Sequence, residues 1–279
     1  MVRTVTAGEL SRYRDVVRSV VGSPAHDATP TASPVHAFVL AHPAFEQAFT
    51  KTGATTADGG EPARVHLSQE IRLDRPLRPD ERVIVEVDLL GARHEAGGVR
   101  VAMRAVLVGT DGTTFGELIT GALLGGATSP EPFGDLPRFP MQRVKSTPDA
   151  WTREFTVDDV RQYATASGDD NPIHLEDAAA RAAGFDGVIA HGMSVLAVVC
   201  EEIADRHAGG DISRIGGVGV RFSAPVRPGE PLEISTQADG DLVCFGVKTA
   251  DGVALKGGWV RLSAQPSPLT ETDATNASG

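Results

Sequence analysis

The chain has 279 residues, 41% of them hydrophobic, and carries 26 Lys and Arg against 37 Asp and Glu, a net charge of −11. Those proportions suit a globular protein larger than one ordinary core, so two domains or one duplicated unit are expected. The acidic balance offers no basic surplus for a phosphate backbone, which argues against nucleic acid as a partner. Two cysteines, Cys200 and Cys244, are too few for a disulfide framework and lack metal-ligand spacing. The most apolar run, 188–200, is too short to span a bilayer, and the first fifteen residues carry Arg3, Glu9, Arg12, Arg14 and Asp15 rather than an apolar leader. A cytoplasmic location is the expectation.

In chain order, Thr6 and Glu9 form a Thr-x-x-Glu capping pattern that opens a helix through Tyr13 and Val17. A Pro- and Thr-rich stretch follows at 23–34. The segment 35–50 is helical, with Phe38, Ala41, Phe45 and Phe49 near one face and Pro43 marking a kink or boundary. After a loop at 52–63, strands are expected at 66–73, 83–90, 99–108 and 114–124, with Asp111-Gly112 as a hairpin turn. Residues 125–150 are rich in Pro and read as a connector. Thr156 then caps the next helix. A loop at 167–174 follows, an Ala-rich helix ends before Gly184, and a long helix runs from Gly192 to Arg206. Strands are expected at 215–222, 232–237, 242–249 and 253–262, then a disordered tail from 265, whose Asn276-Ala-Ser sequon carries little weight.

The two halves repeat. Pro76-Leu-Arg-Pro matches Pro225-Val-Arg-Pro at a spacing of 225 − 76 = 149, and His42 matches His191 at the same spacing. Thr6 and Thr156, like Tyr13 and Tyr163, stand 150 apart. Several matches at nearly one spacing indicate a duplicated unit of helix, loop, long helix and antiparallel sheet, an α+β architecture. At that spacing Ser19 stands for Asp169, Val21 for Asn171 and Pro24 for His174. Only the second copy keeps a carboxylate, an amide and an imidazole, so it is expected to carry chemistry while the first supplies shape.

Asp169 and His174 lie within six residues on a non-periodic loop held by Gly168 and Pro172. An ionised Asp169 and a neutral His174 can hold one water and move its proton, with Asn171 supporting either. Gly192, at the start of the long helix, can offer an unpaired N–H to a developing oxyanion. Other residues carry plainer roles. Asp170 reads as a solvated neighbour, Ser167 as a turn residue without a base, His191 as structural because His42 holds its place in the first copy, and Cys200 as core. A metal held by Asp169 and His174 would need further ligands that the loop does not offer.

The run Tyr163-Ala-Thr-Ala-Ser-Gly-Asp-Asp-Asn-Pro-Ile-His174, followed by Gly187-Val-Ile-Ala-His-Gly-Met193, closely resembles the MaoC-like (R)-specific enoyl-CoA hydratase family, also called hydratase 2. The resemblance covers about 30 residues directly and, by element order, 151–264. Its duplicated layout is similar to the double-hot-dog 3-hydroxyacyl-thioester dehydratases. It implies a double hot-dog of two antiparallel sheets, each wrapped around a long central helix. The expected parts are a non-catalytic half at 1–127, a linker at 128–150, a catalytic half at 151–264 and a tail at 265–279. It implies Asp169 and His174 as the catalytic pair, Asn171 as support, and the Gly192 N–H as donor to the thioester carbonyl. The implied reaction is reversible syn hydration of a trans-2-enoyl thioester, with no cofactor or metal, an acyl-CoA or acyl-ACP substrate, and a possible homodimer. A dehydratase of branched or dicarboxylic acyl-CoA and a non-catalytic acyl-thioester-binding protein are the alternatives.

Overall fold

The computed structural model describes residues 1–24 and 31–263. The expected tail at 265–279, its sequon at Asn276, and His26 in the first loop lie outside the described residues. The first half runs β1 (Val2–Val5), α1 (Ala7–Val21), α2 (His36–Lys51), β2 (Ala63–Leu73), β3 (Glu81–Glu95), β4 (Gly98–Gly109) and β5 (Thr114–Gly125). Two strands follow in the connector, β6 (Phe133–Gly134) and β7 (Asp149–Glu154). The second half continues with α3 (Val157–Ser167), a 3-10 turn at Pro172–His174, α4 (Asp177–Ala182), α5 (Gly192–His207), β8 (Ile215–Phe222), β9 (Pro231–Asp239), β10 (Leu242–Thr249) and β11 (Gly252–Leu262).

Both expected capping boxes form. Thr6 accepts from the Glu9 N–H while the Glu9 carboxylate accepts from the Thr6 N–H, and Thr156 does the same with Asp159. Each closes two otherwise orphaned donors at a helix start. The Pro43 boundary is a correction: α2 runs unbroken from His36 to Lys51. A proline forfeits one bond to the residue four back, and α2 is held through that gap by burial of Phe38, Leu40, Ala41, Ala44 and Phe45. The connector is also more ordered than expected. Phe133 and Gly134 pair with β3, and Asp149 to Glu154 pair with β9.

All described strands join one antiparallel sheet, ordered β1-β3-β4-β5-β2-β8-β11-β10-β9-β7, with β6 beside β3. The halves meet edge to edge where β2 pairs β8, so neither half leaves an open edge there. The register places Glu70 opposite Gly219, and 219 − 70 = 149, the spacing of the duplication. Equivalent residues face each other there, which marks the pseudo-twofold axis. Tyr13 and Tyr163 obey the same symmetry, their hydroxyls 3.3 Å apart in the buried centre. One apolar core runs through both halves, including Leu10, Phe45, Ile71, Leu118, Phe155, Leu196 and Ile203.

A buried ion network crosses the axis. Arg14 on α1 holds Glu201 of α5 through Nε at 2.8 Å and Nη2 at 2.9 Å, and Arg18 reaches Glu201 at 3.3 Å and Asp205 at 2.9 Å. Arg18 stands where the second copy has Gly168 (168 − 18 = 150), and it also donates to Ser23 O, Ser23 Oγ and Pro24 O. Ser23 and Pro24, at the start of the first copy's loop, are therefore packed around a guanidinium at the place where the second copy opens. Glu201 is fully buried, so Glu201→Gln leaves two guanidiniums short of charge and is expected to destabilise by about 3 kcal/mol. Chemical denaturation of the variant checks this; a loss under about 1 kcal/mol would contradict it.

Candidate active site

The loop between α3 and α4 is shaped by local hydrogen bonds. Gly168 ends α3 in the left-handed conformation, φ 71°, which a glycine adopts without strain. Ser167 Oγ donates to Tyr163 O and accepts from the Asp169 N–H at 3.2 Å, so this hydroxyl builds the turn. Asn171 meets Asp169 through its main chain: its N–H donates to Asp169 Oδ1 at 3.3 Å, while its side-chain oxygen accepts from Ile173 N. The support expected from the Asn171 amide thus comes through the backbone, and the amide instead caps the turn that delivers His174.

His174 is buried, and its Nδ1 lies 2.8 Å from Ile189 O. A carbonyl can only accept, so Nδ1 carries the proton and Nε2 keeps its lone pair. Burial pushes the imidazole down, and the Asp169 charge and the Ile189 bond only partly offset that, so the ring is neutral at pH 7. Burial alone would raise the Asp169 carboxyl. The imidazoles of His191, His42 and His174 and the Asn171 N–H outweigh it and hold Asp169 below the usual carboxylate range. One ionised carboxylate thus stands beside one bare imidazole nitrogen. Asp170 next to it is exposed.

His191 was expected to be structural. It is buried, its Nε2 donates to the Asp169 main-chain oxygen at 3.0 Å, and its ring stacks on His174 at 3.8 Å with 29° between the planes. Ligand atoms of Asp169, His174 and His191 all lie within 4.8 Å of one another. This supplies the third group that the sequence did not place, yet stacked rings suit a shared ion poorly. An imidazole binds a metal close to its own plane, and two planes displaced face to face direct their lone pairs side by side. Two imidazolium ions at that separation would repel by roughly 4 kcal/mol even at an effective dielectric of 20, so the pair is not doubly charged.

α5 begins at Gly192 with no side-chain cap, and no partner among the described residues meets the Gly192 N–H. A β-carbon at Gly192 would lie 2.7 Å from Phe222 Cδ1. The glycine is required because the Phe222 ring lies against it, and that ring is braced by His66 at 4.6 Å. Gly192→Ala is expected to push Phe222 off its seat and destabilise the fold by about 1–3 kcal/mol through overpacking. Chemical denaturation checks this, and wild-type stability in the variant would refute it.

The loop, Gly192 and α2 enclose a cavity of about 800 Å³ between the halves. Asp169, Asn171, His174, His191 and Gly192 line one side, and Phe38, His42, Phe45, Phe49, Arg64 and His66 the other. Volume and apolar walls suit a small-molecule ligand. The 52–63 loop reaches the cavity through Glu61, Pro62 and Ala63. The first half brings more than shape. His42, the duplicate of His191, and His66 both stand close enough to bias the Asp169 charge.

Comparison with known proteins finds a matching family for part of the chain. Residues 140–255 match the family described as MaoC like domain. Curated relatives include 3-hydroxyacyl-thioester dehydratase X of Mycobacterium tuberculosis, 33% identical over 168 residues, 58% of this chain and 55% of that protein. The 3-hydroxyacyl-thioester dehydratase Y of the same organism is 32% identical over 182 residues, 61% of this chain and 60% of that protein. Mouse peroxisomal multifunctional enzyme type 2 is 30% identical over 127 residues, 45% of this chain and 17% of the relative. The chain thus spans less than two thirds of the length of each of these relatives. Among solved structures, a MaoC-like dehydratase from Phytophthora capsici superposes with a TM-score of 0.75 over 95% of both chains at 20% identity. A Mycobacterium tuberculosis protein with a double hot-dog fold gives 0.59 over 95% of this chain and 94% of its own at 13% identity. The chain shares the double hot-dog fold of these structures. No helix among the described residues is long and apolar enough to cross a membrane.

Proposed function

We propose that the protein is a hydro-lyase that interconverts trans-2-enoyl thioesters and (R)-3-hydroxyacyl thioesters. The observation that carries this is convergence: the Asp169 carboxylate, the bare His174 Nε2 and the unpaired Gly192 N–H all border one cavity. The dehydratases X and Y among its relatives support the same reaction class. Asp169 and His174 are two acceptors, and a water has two hydrogens to give them, which leaves its lone pair to face C3 of the enoyl group. As oxygen bonds to C3, the C2–C3 π electrons move to the thioester oxygen, where Gly192 stabilises the enolate. His174 Nε2 is the stronger base of the two and takes the water proton, while Asp169 steadies the imidazolium. The same imidazolium returns its proton to C2, so both additions occur on one face. Loss of water is the reverse.

The rest of the reading follows from this site. Each half is a sheet wrapped about its long helix, α2 or α5. The half at 1–127 gives the cavity its far wall, 128–150 straps the halves together, and 151–264 carries the reaction. CoA or acyl carrier protein is the substrate's own carrier, with no further cofactor or metal. A homodimer and a cytoplasmic location complete it, the latter supported by the unpaired Cys200 and Cys244. The test is turnover of a trans-2-enoyl-CoA series of increasing chain length. Formation of the (R)-3-hydroxyacyl product at some chain length supports the proposal, and no hydration at any length overturns it.

A further inference from the structure

We propose that His191 is a positioning residue for the Asp169 and His174 pair, acting through its Nε2–H bond to the Asp169 main-chain oxygen and its ring stack on His174. This rests on the hydro-lyase reading. Two side-chain contacts and one main-chain contact tie this residue to each part of the site. The 3.0 Å bond fixes the carbonyl of Asp169, so the loop cannot rotate that peptide and swing the carboxylate away. The stack, at 3.8 Å, leaves His174 no freedom to tilt about its Ile189 bond. The His191 main-chain oxygen accepts from Ser194 N and Ser194 Oγ, which anchors the first turn of α5 and with it the Gly192 N–H.

The other ring nitrogen, Nδ1, is buried without a partner. A single hydrogen bond therefore sets the ring orientation, and the side is specified: a donor is needed at Nε2 and nowhere else. Burial first, and the neighbouring His174 next, hold the imidazole neutral with its pKa down to about 4. A neutral ring can lie against His174 while the latter gains and returns a proton, where a cation would oppose that step. His42, at the equivalent position of the first copy, faces Glu46 at 3.8 Å instead, so the shared residue type does not imply a shared role.

The comparison of His191→Gln with His191→Asn tests this. Glutamine places an amide N–H near the Nε2 position, and asparagine places one near Nδ1. In the intact chain, with a trans-2-enoyl-CoA that the wild type hydrates, Gln is expected to keep kcat within about fivefold. Asn should lose roughly 30-fold or more in kcat, with KM within threefold in both. Circular dichroism and Tm report folding separately, and His191→Phe, which keeps the stack alone, should behave like Asn. Equal loss in the Gln and Asn variants, or kcat within threefold of wild type in Asn, overturns the positioning role. A wild type that hydrates no enoyl-CoA overturns the hydro-lyase reading instead, so the two failures are distinct.

Discussion

Asp169→Asn is expected to lower kcat for enoyl-thioester hydration by about 10³ while KM changes less than threefold. The carboxylate has two jobs in the proposed step. It accepts one hydrogen bond from the water, and its charge stabilises the imidazolium at His174. Asparagine is nearly isosteric and can still take the Asn171 N–H, so the loop should keep its shape. Its amide nitrogen, however, is a donor where an acceptor is needed, and it brings no charge. Both losses fall on the transition state and not on acyl binding, which is why the effect should appear in kcat. His174→Ala should cost a similar factor. Two residues that share one water act as a unit, so the double variant should lie within about tenfold of the worse single one. Stopped-time product analysis of the three variants decides it. Multiplicative losses in the double variant would mean that the two groups do not work on the same water.

Much of this site could be read from the chain. The loop's shape is written in local chemistry: Ser167, Gly168, Asn171 and Pro172 each satisfy neighbours within four residues, and such bonds are legible from spacing alone. The capping boxes at Thr6 and Thr156 are local in the same way, and the duplication matched Tyr13 with Tyr163 as equivalent residues. What failed were features set by distant partners. β1 spans four residues and exists because β3 offers its edge, while β6 and β7 lie in or beside a Pro-rich connector with no alternation to betray them. Pro43 looked like a break because its cost is local, whereas the packing that outweighs it comes from the core. For His191 the limit is subtler. His42 and His191 occupy equivalent places, but one cavity lies between the halves, and the two copies approach it on different terms. Duplication predicts equal scaffolding, not equal surroundings.

The second large effect is acid instability, and its sign follows from burial. His36 and His191 are 4% and 1% exposed, and burial is the first cause that brings each down to about 4 from an ordinary 6.5. His66, which faces the cavity, is brought down to about 4 by the same cause. In the unfolded chain all three titrate near 6.5, so between pH 6.5 and 4 the unfolded state binds more protons than the folded one. Stability is therefore fully present above pH 6.5 and is lost as pH falls toward 4. Each fully buried ring contributes on the order of 3 kcal/mol at most, and His66 less because cavity solvent screens it. Two such rings alone approach the whole stability of an ordinary domain. Tm should thus fall steeply through this window, with about two protons taken up per molecule unfolded. His36→Phe should flatten the curve by about one proton, since it leaves no imidazole to charge beside Tyr13. A Tm that stays level from pH 6.5 to 4.5 would mean that these rings are charged in the fold. His191 could not then lie neutral against His174, and the water-holding pair would have to work beside a fixed cation.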